Sequence, residues 1–272
     1  MKLAINYSKA AAALVAEGRI QIDYFKTPNW PGMVEEALRL RPVALHFELA
    51  TGTGELHQID WEPIETALEL TGTPLVNVHL LTRPQDFPDI PPETQDPTHA
   101  RRVLDIFLQD LGVLVERFGP QRVIAENLPY IYNGVFNLRP AADPRTIQTV
   151  VRETGCGLLL DISHARMAAH YLGMDEWEYL EQLPLEKLKE MHFTGLDWLN
   201  GQLQDHLPAR PEDWPVLDRV LGHIRSGVWP HPWLLSYEYG GEGGFYGDHT
   251  DPTSIAKNVP MLWERVSILK KE

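Results

Sequence analysis

A single cysteine, Cys156, stands in this chain of 272 residues, which excludes an intramolecular disulfide framework and any cysteine-rich zinc site. Long apolar runs are missing as well: none reaches the roughly 18 residues a membrane span requires, so no membrane partner is expected. Positive charge is scarce, with 24 Lys and Arg against 38 Asp and Glu, a formal charge of −14 with the 11 His neutral. No Lys/Arg run offsets that balance, so a long polyanion meets net repulsion and nucleic acid is not an expected partner. Internal repeats and low-complexity tracts are also lacking. What remains is a soluble protein of a reducing, cytoplasmic compartment, with Cys156 serving the packing. The opening Met1-Lys2-Leu3-Ala4-Ile5 and the Ala-rich stretch after it resemble a signal peptide only superficially. Lys9 divides the apolar part, and a strand over Lys2–Asn6 followed by a helix accounts for it better.

With 43% apolar and 23% charged residues the chain suits one α/β domain over 1–272, the size of a single barrel of about 250 residues. Strand and helix patterns alternate throughout. After the first strand, Ile20–Lys26 reads as strand two, and further strands end near His46, His79, Glu126, Asp161, His192 and Glu238. Helical periodicity is clearest over Ala100–Phe118, stopped by Gly119-Pro120. Further helices fit Glu62–Leu70, Pro144–Glu153, Asp175–Gln182, Asp213–Ile224 and Pro252–Leu269. Eight strands alternating with helices predict a (β/α)8 TIM barrel, with a doubly wound open sheet as the competing architecture. Three long connections, Thr82–Thr98, Leu128–Asp143 and Thr194–Pro211, follow strands, and long loops gathered on one face tend to carry function.

The strand ends hold the chemistry. Six of the eight strands end on or just before an imidazole or a carboxylate: His46, His79, Glu126, Asp161, His192 and Glu238. In a parallel barrel those ends converge on one face, where a charged group is costly to desolvate unless paired or metal-bound. Asp161-Ile162-Ser163-His164 and Asp205-His206 add His164, Asp205 and His206, which brings the candidate ligands to nine. Mixed imidazole and carboxylate donors suit zinc, manganese or iron, and nine donors suit two or three divalent ions, with Glu126 or another carboxylate bridging. Glu126, Asp161 and Glu238 are also the candidate catalytic carboxylates.

Each residue has a plainer reading. Any one histidine alone is more often structural than ligating, and the weight lies in the set. Alternation places Ala44, His46 and Glu48 on one strand face and Asn77 with His79 on another, though Glu48, Asn77, Asp23 and Lys26 equally fit a polar lining or salt bridges. His57, His99, His170, His223, His231 and His249 fall in loops or helices, where surface exposure is the default. Gly240–Gly244 reads as a flexible turn rather than an anion cradle. Tyr130, Tyr132 and Tyr239 either line the mouth or pack over its rim.

The ligand order, Ala125-Glu126-Asn127, Asp161-x-x-His164, His192 and Glu238, resembles the xylose-isomerase-like barrels, a superfamily that includes endonuclease IV. That resemblance implies one metal on His46 and His79 with Glu126 bridging, a second on Glu126, Asp161, His192 and Glu238, and a third on His164, Asp205 and His206. The endonuclease spaces its late Asp and His by one residue, whereas Asp205 and His206 are adjacent. From about Val123 to Trp214, the segments Ala125-Glu126-Asn127-Leu128-Pro129-Tyr130, Gly157–Asp161, Leu183-Pro184-Leu185 and Glu190-Met191-His192-Phe193-Thr194-Gly195 are similar to the multinuclear non-haem iron-dependent oxidases. Where that family has Leu-Leu-Asp-Val-Asn-Asn, this chain has Asp-Ile-Ser-His. The resemblance implies oxidation, with two or three iron ions and dioxygen, of a peptide or small thiol, often with a peptide-presenting partner protein. Competing readings are metal-assisted phosphodiester hydrolysis, sugar isomerisation or epimerisation with Lys26 or Glu48 as acid–base groups, and a non-enzymatic metal-binding role.

Overall fold

The computed structural model describes residues 1–131, 136–244, 247 and 249–270. Its strands are β1 (Lys2–Asn6), β2 (Tyr24–Thr27), β3 (Val43–Leu45), β4 (Val76–His79), β5 (Val123–Glu126), β6 (Gly157–Asp161), β7 (Leu188–Phe193), β8 (Gly195–Leu199), β9 (Gln202–Leu207) and β10 (Leu234–Tyr237). The helices are α1 (Lys9–Ala16), α2 (Pro31–Leu38), α3 (Glu62–Thr71), α4 (Pro97–Phe118), α5 (Pro144–Thr154), α6 (Ile162–Leu172), α7 (Glu176–Gln182), α8 (Trp214–Arg225) and α9 (Pro252–Leu269). Asp or Ser caps begin most of the helices that follow a strand. Ser8 accepts from Ala11 N at 3.0 Å, and Asp143 with Pro144 starts α5, which ends at Gly155 with φ 72°.

The chain forms two compact units. In the first (residues 1–46, 62–73 and 190–272), β1 pairs in parallel with both β2 and β10, β2 with β3, and β10 with β7. One of its buried clusters is formed by Ala4, Ala44 and Leu234, with the partly buried Tyr24 and Trp233 packed against it. In the second unit (residues 47–61 and 74–189), β5 pairs in parallel with β4 and β6, and its strands, Val76–His79, Val123–Glu126 and Gly157–Asp161, read as near-continuous apolar runs. Cys156 is buried there, and burial pushes its thiol pKa up, as a packing residue requires.

Several sequence expectations shift. Strand two begins at Tyr24 rather than Ile20. Strand three ends at Leu45, so alternation does not carry through to Glu48, which is exposed. Asn77 is structural: its amide accepts from Phe47 N at 2.7 Å and donates to Phe47 O at 2.9 Å. The connection Thr194–Pro211 is largely the antiparallel hairpin of β8 and β9, closed by Asn200-Gly201, whose φ angles of 53° and 79° are those the tightest hairpin turns need. Gly195 opens it because a Cβ there would lie 2.1 Å from Pro208 O. Tyr130 and Tyr239 are buried, and Tyr132 lies outside the described residues.

Candidate metal centre

The nine candidate ligands fall into two groups, one in each unit. In the second unit His79 and Glu126 close their strands, while Asp161 ends β6 and at once caps α6, accepting from His164 N at 2.7 Å. Strand therefore runs into helix without a loop, and one turn of α6 returns His164 to the same end. The Asn127 amide clamps the Asp161 backbone through two bonds of 2.9 Å. His79 Nε2 lies 3.4 Å from Glu126 Oε2, and His164 Nδ1 lies 3.4 Å from Glu126 Oε1 and 3.6 Å from Asp161 Oδ2. Glu126, Asp161 and His164 are all buried and offer ligand atoms within 4.8 Å of one another.

In the first unit His46 follows β3, its ring centroid 5.2 Å from that of His192 on β7. His192 Nδ1 lies 3.0 Å from Glu238 Oε1, just past β10. On the hairpin, His206 Nδ1 donates to Glu238 O at 2.8 Å, and its Nε2 is 3.7 Å from Asp205 Oδ2. His206 holds the left-handed backbone, φ 55°, a conformation that stores strain in any residue but glycine. Burial works against the Glu238 charge, but His192, through charge and hydrogen bond, together with His46 and His206, holds this carboxyl well below the usual range.

The imidazoles share a constraint. His79 Nδ1 faces Leu49 O at 3.0 Å, His164 Nδ1 faces Asn127 O at 3.1 Å, and His206 Nδ1 faces Glu238 O. A main-chain carbonyl only accepts, so each ring carries a proton on Nδ1, which in the neutral imidazole leaves the lone pair on Nε2. At His79 that nitrogen looks at a carboxylate oxygen 3.4 Å away, a facing that either a proton on Nε2 or a metal ion shared between the two would satisfy. Metal-ligating imidazoles are held in this way, by a carbonyl or carboxylate on the far nitrogen. The donor set therefore fits divalent metal.

Two participants escape the sequence reading. Glu190, two residues before His192 on the same strand face, accepts from Lys26 Nζ and from Trp233 Nε1 at 2.8 Å, and lies 3.2 Å from His192 Nε2. Asn127 is the other, fixing both Asp161 and His164. Period-two counting back from His192 would have found Glu190.

Comparison with solved structures gives the fold: a (β/α)8 TIM barrel. Endonuclease IV from Thermus thermophilus superposes with TM-score 0.54 at 17% identity, over 98% of this chain and 99% of that one. The IolI protein solved with a zinc atom gives TM-score 0.57 at 16% identity, over 98% of both chains. Residues 99–231 match the family model described as RiPP precursor modification enzyme MbnB/TglH/ChrH, a span that includes Glu126, Asp161, His164, His192, Asp205 and His206. A UPF0276 protein of Acaryochloris marina is 30% identical over 127 residues, 46% of this chain and 44% of that protein. The chain thus spans less than half the length of that relative. The likeness to the MbnB/TglH/ChrH family model is confined to residues 99–231, whereas the likeness to the solved barrels runs over 98% of the chain. Among the described residues no helix is long and apolar enough to cross a membrane.

Proposed function

We propose that this protein is an iron-dependent oxidase acting on a peptide or small thiol, its strand-end donors holding two or three ions. The observation that carries the metal reading is the buried cluster of Glu126, Asp161 and His164, with His79 Nε2 3.4 Å from Glu126 Oε2. The iron preference rests on the family match over residues 99–231. Bound iron would supply one-electron chemistry, with dioxygen as oxidant and the substrate thiol as reductant.

The chain's own part is geometric. Leu49, Asn127 and Glu238 carbonyls fix three ring orientations, the Asn127 amide fixes the backbone of Asp161, and burial excludes water around Glu126 and Asp161. A negative protein also suits a substrate delivered by a peptide-presenting partner better than a nucleic acid. The test is metal analysis with Mössbauer spectra on protein purified anaerobically from iron-supplied cells. Two or more irons per chain are expected, with less in His79→Ala. Stoichiometric zinc without a redox-active spectrum would sink the oxidase, and cleavage of abasic DNA at low enzyme concentration would move the assignment to a nuclease.

A further inference from the structure

Lys26 and Glu190 form a buried ion pair, each about 2% exposed, beside the fully buried His192. Both Glu190 oxygens are engaged: Oε1 by Lys26 Nζ and His192 Nε2, Oε2 by the Trp233 indole. Burying two charges costs several kcal/mol per ion by general experience, and an apolar pair of similar volume often serves stability as well or better. Fold stability alone is therefore a weak reason for this pair. Its orientation offers a better one. The three rings described above are tied through Nδ1 to main-chain carbonyls, whereas His192 is tied through Nε2 to a carboxylate, and its Nδ1 points at Glu238 Oε1, 3.0 Å away.

We propose that Glu190, anchored by Lys26 and Trp233, is a positioning residue that fixes the His192 proton on Nε2 and so makes Nδ1 the metal-binding nitrogen, opposite to the other three rings. The role rests on the metal reading above. A neutral imidazole has one N–H and two ring nitrogens. With Glu190 accepting at Nε2, the lone pair on Nδ1 and the Glu238 carboxylate converge on one point. Without that acceptor the proton is drawn to the other side, where Glu238 Oε1 stands at hydrogen-bond distance from Nδ1, and the nitrogen that should ligate is blocked. Lys26 then acts by holding the Glu190 carboxylate in place, not as an acid–base group.

The test uses Zn2+ as a diamagnetic probe on the full chain. Wild type is compared with Lys26→Met/Glu190→Leu, which removes both charges, and with Lys26→Met/Glu190→Gln, whose amide oxygen can still accept from Nε2–H. Calorimetric titration reads affinity, and long-range 1H–15N spectra, with the His192 signals assigned by their loss in His192→Gln, read which ring nitrogen is protonated. Wild type is expected to show Nε2–H and a ligated Nδ1. The leucine pair is expected to bind one zinc about 10- to 100-fold more weakly with the proton moved to Nδ1, and the glutamine pair to stay close to wild type. Ligation through Nε2 in wild type overturns the role, and so does unchanged affinity in the leucine pair. If the leucine pair does not fold, the wild-type spectrum alone decides. A wild type that takes up neither zinc nor iron overturns the metal centre itself, and the role with it.

Discussion

Replacing Asp161 by asparagine separates the two roles its oxygens play. Oδ1 caps α6 through His164 N at 2.7 Å, while Oδ2 faces His164 Nδ1 at 3.6 Å beside Glu126. Asparagine caps a helix as well as aspartate, so Asp161→Asn keeps the cap and removes the anionic donor, whereas Asp161→Ala loses both and about 1 kcal/mol of stability. The backbone bonds to Asn127 are the same in either variant. Metal-free Asp161→Asn should accordingly melt near wild type, and metal-free Asp161→Ala about 2 °C lower for a chain of this size.

Metal reverses that ranking. A bound ion at a free concentration of 100 times its Kd adds about 2.7 kcal/mol, or about 5 °C at roughly 2 °C per kcal/mol. Should losing the Asp161 carboxylate weaken binding about 100-fold, the upper end of what even a supporting residue commands, the same concentration adds only about 0.4 kcal/mol, about 1 °C. Thermal scans with and without metal, read beside metal content, separate the effects. An asparagine variant that keeps the full metal-induced rise refutes Asp161 as a ligand. A metal-free asparagine variant that melts as low as alanine refutes the cap argument.

Two further predictions come from the first unit. At His206, φ 55° costs an L residue about 1–2 kcal/mol, so His206→Gly should be about 1 kcal/mol more stable than His206→Ala in urea while both lose the same metal; equal urea midpoints would contradict the strain. Burial and the 3.0 Å hydrogen bond to Glu36 push the Tyr7 pKa up to about 12 from 10.0. The protonated phenol therefore stabilises the fold below pH 10, and that contribution is lost as pH rises toward 12; Tyr7→Phe should lack this alkaline loss, and urea midpoints measured from pH 9 to 11.5 that fall in parallel for both proteins would refute it.

The strands were legible because they are short apolar runs closed by a group that must be paired, as in Val123-Ile124-Ala125-Glu126, and burial on both faces leaves little room for other patterns. The candidate ligands stood out for the same reason: a carboxylate or imidazole after such a run marks the end of a strand. Two helices were not. α2, with Trp30 and Pro31 at its start, has no side-chain cap, and α6 follows β6 with no intervening residue, so Asp161 reads as strand end and conceals its second use as cap. The β8–β9 hairpin was hidden among polar residues, although Asn200-Gly201 between alternating segments is a strong local hairpin signal.

Finding that hairpin changes what the adjacent Asp205 and His206 mean. In an extended strand adjacent side chains point to opposite faces, so Asp205 and His206 should diverge. The left-handed φ of 55° at His206 breaks that alternation; its Nδ1 is anchored on Glu238 O at 2.8 Å, and its Nε2 remains 3.7 Å from Asp205 Oδ2. Spacing by one residue would bring two strand side chains to one face without strain. Adjacency requires a backbone distortion to do the same, and the distortion falls on the residue whose ring is tied to the Glu238 backbone.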